Sequence, residues 1–155
     1  MNAHRYLAIY GIALLLVAFA LHLGWEFVQC QPFFVHGSVP PTVPGMLAAT
    51  AGDLGLTGLA YAGTALAAGS WGWPAGRWGA RVWLSLMGWA IGLGLFIEWR
   101  ALNTGRWAYN DAAILLPGTS VSALPILQLV LLFPLSFALA RLTSARWLVK
   151  TGAFD

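Results

Sequence analysis

Four runs of about twenty apolar residues dominate this chain, over about 6–28, 45–68, 82–102 and 124–142. A helix needs roughly 20 such residues to cross the hydrocarbon of a bilayer. In lipid the backbone must satisfy its own N–H and C=O groups, so runs of this kind become helices. They are continuous rather than alternating, which excludes a barrel. The expected fold is an all-α membrane protein: a single domain over residues 1–155, built as a four-transmembrane-helix bundle with a long ordered loop between helices 3 and 4. Charge agrees. Charged residues make up 8% of the 155, against about 25% in a typical soluble domain. Disorder, nucleic-acid binding through a basic patch and an ordinary soluble enzyme are thereby excluded. The single cysteine, Cys30, excludes an intramolecular disulfide and a multi-cysteine metal site.

The connections differ in character. Residues Gln31 to Pro44 hold Pro32, Pro40, Pro41 and Pro44 and read as mostly non-helical. Ser70 to Arg81 is short and rich in tryptophan. Asn103 to Ala123 is long for a four-helix protein, and its aromatic content suggests that it folds back onto the bundle. Arg5 ahead of an apolar run that contains Ala18-Phe19-Ala20 has the outline of a signal peptide, but a retained first span is the expectation.

Orientation follows from the basic residues. Four spans place Arg5, Arg77, Arg81, Arg141, Arg146 and Lys150 on one side and Arg100 and Arg106 on the other. The positive-inside rule then puts both termini in the cytoplasm of a bacterial inner membrane. Tryptophans 71, 73, 78, 83 and 147 would lie at the inner interface, and Trp25, Trp99 and Trp107 at the outer one.

Glu26, Asp53 and Glu98 stand inside apolar runs. A carboxylate at mid-membrane costs on the order of 2.5 kcal/mol or more. Each of the three falls in the outward half of its span, as does Gln128 in the fourth. His22, Glu26 and Gln29 occupy i, i+4, i+7 and share one helix face. Asp53 and Thr57 are also one turn apart. These residues are expected to converge on one outward-facing polar pocket, closed above by the long loop, with Asp53 the acid furthest from water.

Other features read more plainly. Gly52, Gly55, Gly58, Gly88 and Gly92 suit close helix contact, either within the bundle or with a second chain. Pro125 fits the first turn of the fourth helix, and Pro134 should kink it. Cys30 reads as an inert apolar residue. A lone span histidine beside carboxylates is a poor zinc set, and the site is read with no metal. No nucleotide motif is present, so no cofactor is called for.

Two resemblances arise at these residues. The set His22-x-x-Trp25-Glu26-x-x-Gln29, Gly52-Asp53, Glu98-Trp99, Gly105-Arg106-Trp107-Ala108-Tyr109, Leu116-Pro117 and Gln128 resembles an uncharacterised family of small bacterial four-span inner-membrane proteins, over most of the chain. More distantly, Gly105-x-Trp107-x-Tyr109 with Pro125-Ile126-Leu127-Gln128 resembles the G-x-W-x-Y and P-I-E-E pattern of the small membrane-embedded carotenoid (lycopene) cyclases, over about a quarter of the chain. That second resemblance implies protonation of an isoprenoid by a carboxylic acid and ring closure through a carbocation. Leu127 and Gln128 stand where that family has paired glutamates, so its acid does not carry over. Trp107 and Tyr109 do, as pocket-lining residues.

The functional expectation is an isomerase or cyclase acting on an isoprenoid or lipid. A carboxyl group in an apolar site keeps its proton and can act as a general acid. The catalytic candidates are Asp53 as acid, with Glu26, His22 and Glu98. Trp25, Gln29, Trp107, Tyr109 and Gln128 are the substrate-binding candidates. The expected partner is a membrane lipid or apolar small molecule, and the glycine faces suit a homo-oligomer or a membrane protein partner. The alternative is a non-enzymatic accessory subunit or a lipid- or pigment-binding protein. The topology has a direct test. A reporter enzyme that works only in the cytoplasm, fused after Asp155, should be active, and activity of a periplasm-only reporter there would reverse the orientation.

Overall fold

The computed structural model describes residues 3–35 and 42–150. His36, Pro40 and Pro41 of the proline-rich connection lie outside the described residues. Four long helices make up the fold: α1 (Ala3–Phe33), α2 (Val43–Ala68), α3 (Ala80–Asn103) and α4 (Ala123–Lys150). α4 packs on α1 and α3, and α2 completes the bundle against the same two helices. Arg141 Nη1 donates to the Gly76 carbonyl at 2.9 Å, so the α2–α3 connection and the C-terminal part of α4 share one end of the bundle. The α3–α4 loop lies at the other, here called the loop end.

Among the described residues three helices are long and apolar enough to cross a membrane, over His4–Cys30, Ala80–Asn103 and Ala123–Trp147. α2 has the length, at 26 residues, but its glycines, threonines and Asp53 lower its hydropathy. The surface is that of a lipid-facing protein: Leu16, Val28, Leu66 and Leu84 are each at least two-thirds exposed. The interior carries polar residues, with His22, Thr50, Thr57, Thr64 and Glu98 fully or almost fully buried. An apolar exterior around a core that also buries these polar side chains is unlike a soluble domain.

Two helices outrun their apolar segments. α1 continues through Pro32 to Phe33, and α4 through Arg141 and Arg146 to Lys150. Helical hydrogen bonding propagates without regard to side-chain polarity, and residues 141–150 hold no glycine or proline to stop it. α1 ends against the loop. Asn110 donates from its side chain to the Pro32 carbonyl at 2.7 Å and from its backbone to Phe33 at 3.3 Å. Orphan carbonyls of the last turn are satisfied this way. Phe34 and Val35 then pair antiparallel with Tyr109 and Ala108. This two-residue pairing is a local tie between α1 and the loop within an all-helical fold. The loop is further tied by the turn Leu116-Pro117-Gly118-Thr119, closed by Thr119 N–H to Leu116 C=O at 3.1 Å. Gly118 has φ +72° there, which fits proline at i+1 and glycine at i+2 of a type II turn.

The end opposite the loop is held by aromatics. Trp73 was expected at the interface but is only 5% exposed. It packs on Phe137, Trp78 and Tyr61, with ring centroids 5.2, 5.4 and 6.0 Å away. Its position in the short helix Trp73–Ala75, which packs against α4, turns it inward.

The close helix contacts use other glycines than the sequence suggests. A Cβ at Gly52, Gly55, Gly58, Gly88 or Gly92 would meet nothing within 4 Å, so none of these packs the bundle. A Cβ at Gly63 would sit 2.1 Å from the Trp89 indole, and one at Gly94 would lie 3.1 Å from Ile126 Cα. Gly63→Val should therefore displace Trp89 and cost about 1–3 kcal/mol, while Gly88→Val, with the same change in helix propensity, should be close to neutral. Unfolding of the two variants in mild detergent measures the difference.

Candidate functional site

At the loop end a chain of side-chain hydrogen bonds joins α1, α2 and α4. Glu26 and Gln29 are one turn apart on α1, and Gln29 Nε2 donates to Glu26 Oε1 at 2.9 Å. The same amide donates to Gln128 Oε1 on α4 at 3.0 Å. Gln128 Nε2 in turn donates to Asp53 Oδ2 on α2 at 2.8 Å and lies 3.1 Å from His22 Nδ1. Trp25 Nε1 donates to Gln29 Oε1 at 2.6 Å. Every polar atom of both glutamine side chains thus has a partner, as buried amides require.

His22 of α1 and Asp53 of α2 face each other, with His22 Nδ1 3.3 Å from Asp53 Oδ2. Thr57 Oγ1 donates to the Asp53 carbonyl at 2.8 Å, and the same hydroxyl oxygen lies 3.3 Å from His22 Nε2.

A cavity of about 140 Å³ opens beside this network. Its walls come from Glu26, Gln29 and Cys30 of α1, Gly52 and Asp53 of α2, Glu98 of α3, Arg106 and Trp107 of the loop, and Pro125 and Gln128 of α4. Gly52 and Arg106 are exposed wall residues, so the cavity opens beside them. The guanidinium of Arg106 lies 5.3 Å from the centroid of the Trp107 ring.

Glu98 differs from the other acids. It is fully buried, and neither of its oxygens has a partner of hydrogen-bonding geometry. The Trp107 indole and the Ser122 backbone are turned toward it. Asp53, expected to lie furthest from water, is 15% exposed. Its helix brings the carboxyl to the cavity wall, whereas Glu98 is covered by the loop residues above it.

Of the residues singled out from sequence, His22, Glu26, Gln29, Asp53 and Gln128 meet in the network, and Glu98 and Trp107 line the same cavity. Trp25 touches the network only through Gln29. Tyr109 lies on the short strand of the loop and is absent from the cavity wall. Cys30, read as inert, donates from Sγ to Glu26 Oε2 at 3.0 Å. Its i+4 spacing from Glu26 was the available signal. Among the described residues no three His, Cys, Asp or Glu side chains are placed to share a metal ion.

Gln128→Leu should take one partner from Gln29 Nε2 and one from Asp53 Oδ2, leaving them Glu26 and His22 respectively. The expected loss is about 1–3 kcal/mol, read as a lowered unfolding midpoint in detergent. An unchanged midpoint would show that the network contributes nothing to assembly. No family model, no curated protein and no solved structure matches this chain.

Proposed function

We propose that this protein is a four-span enzyme of a bacterial inner membrane that moves a proton on an isoprenoid or lipid, as an isomerase or cyclase. The observation that carries the reading is the His22–Asp53 pair at 3.3 Å beside a cavity that Asp53 itself lines. Asp53 gives its proton to a carbon–carbon double bond, leaving a carbocation. A neighbouring C–H bond then releases its proton to a carboxylate, with Glu26 in reach of the cavity, and a new double bond forms. His22 returns a proton to Asp53, and the proton that Glu26 took restores His22, so that every group ends as it began. Atoms and charge balance without an oxidant or a nucleotide. Glu98 and the face of Trp107 favour positive charge as it develops.

The cavity size sets what enters. Sites for whole drug-sized ligands run to about 300–1,000 Å³, so about 140 Å³ takes one end of a chain. The rest stays in the membrane. α2 is read as the fourth span because α1 and α3 flank it and its C-terminal connection lies at the Arg141 end. Both termini are then cytoplasmic, and the loop covers the outer mouth of the cavity. The Trp107 position is the part of the cyclase resemblance that this reading uses.

A non-enzymatic accessory role has one observation in its favour. Gly88 and Gly92 line an open groove with Leu84 and Trp89 on the outer face of α3, where a second helix would fit.

The chemistry is tested in deuterated water. Protein in lipid nanodiscs, supplied with the extracted membrane isoprenoids, should introduce deuterium into an alkene product seen by mass spectrometry. Asp53→Asn should slow this by about 10²–10⁴-fold, the range for loss of a general acid, with the variant still folded. Wild-type protein that never exchanges a carbon-bound proton would leave the accessory reading.

A further inference from the structure

The cavity of the site above contains a group that the protein itself does not satisfy. Glu26 receives Gln29 and Cys30, and Asp53 receives Gln128. Glu98, fully buried on the opposite wall, has the Trp107 indole and the Ser122 backbone turned toward it but no donor within hydrogen-bonding geometry. We propose that the cavity binds an organic ammonium group, the head of a long-chain amine in the membrane, with Glu98 as its counter-ion. This rests on the ligand-binding part of the function proposed above and does not require proton transfer.

Charge selects the ligand. The wall holds three carboxyl groups and one cation, Arg106, whose side chain is exposed and turned to the Trp107 ring. An anionic head would meet carboxylates on α1, α2 and α3. An ammonium supplies N–H donors and positive charge to Glu98 and rests favourably against an aromatic ring. An inorganic ion needs several ligands at once, and His22, Asp53 and Gln128 are already committed to one another.

Size and exit fix the rest. A volume of about 140 Å³ equals that of about four or five waters. That holds the nitrogen and the first few carbons. The remaining chain can leave past Gly52, where a Cβ would meet nothing within 4 Å.

The test uses the full chain in neutral-detergent micelles at neutral pH, with protein-free micelles subtracted. Dodecylamine, dodecanol, dodecanoate and propylamine are titrated by calorimetry. Dodecylamine should bind about tenfold or more tightly than dodecanoate, and Glu98→Gln should lose about the same factor for the amine while leaving dodecanol unchanged. Equal binding of dodecanoate overturns the proposal, as does an undiminished affinity in Glu98→Gln. Propylamine binding as tightly as dodecylamine overturns the membrane source of the ligand. If Glu98→Gln does not fold, the comparison of amine with carboxylate on the wild type decides alone. Amine binding without deuterium exchange would keep this site and remove the catalytic reading. Exchange without amine selectivity would do the reverse.

Discussion

The loop-end half of the bundle depends on the Gln128 side chain. Its oxygen takes a hydrogen from Gln29 on α1, and its nitrogen reaches Asp53 on α2 and His22 on α1. Lipid tails are as apolar as leucine, so helices in a membrane are not driven together by exclusion from water. Close packing and polar links must do it. Side-chain amides and carboxyls link α1, α2 and α4 near the loop. Aromatic packing of Trp73, Phe137 and Tyr61 holds the other end, helped by the bonds of Arg141 to Gly76 and of Tyr10 to Phe137.

α3 stands outside that polar network; its polar link to the bundle is the Thr64–Ser85 hydroxyl pair with α2 at 3.3 Å, and close packing positions the rest. Gly94 lets its backbone approach Ile126 of α4. Gly94 is one turn before Glu98, and Ile126 two residues before Gln128. The close approach of the helices therefore lies next to both residues and fixes the depth of Glu98 opposite the network. A side chain at Gly94 would move Glu98 without touching it. The cavity is the space left where a glycine-packed helix meets a hydrogen-bonded one, with the loop residues Arg106 and Trp107 above.

Much of this was legible in the sequence. Apolar runs of about twenty residues give the long helices, and one-turn spacing places His22, Glu26 and Gln29 on one face. The common depth of Glu26, Asp53, Glu98 and Gln128 pointed to a shared cavity, because four polar groups at one level of an apolar bundle are best satisfied together. Other features depend on contacts that no local pattern carries. The pairing of Phe34–Val35 with Ala108–Tyr109 joins segments far apart in the chain. Whether a glycine meets a neighbour depends on helix rotation, so Gly63 and Gly94 pack while the more conspicuous Gly88 and Gly92 face outward. Trp73 illustrates the same limit: hydropathy places it near an interface, and only the turn of its short helix decides that it points inward. The relative burial of Asp53 and Glu98 rests on the loop, whose path the sequence did not define.

The two kinds of buried polar residue answer different needs. Gln29 and Gln128 join helices, and every polar atom they carry is used. Replacing either removes a link. Glu98 links no helix to another, although the Trp107 indole and the Ser122 backbone are turned toward it. Both of its oxygens lie in an apolar interior without a hydrogen-bond partner, and a leucine of similar volume would fill that space without the cost of burying a carboxyl group. The assembly of the bundle therefore gives no account of the acid at this position. Its orientation does. Glu98 faces a cavity that Asp53 also lines, so the two acids address the same volume. Structural demands account for the network, and on the proposal made above what enters the cavity accounts for Glu98.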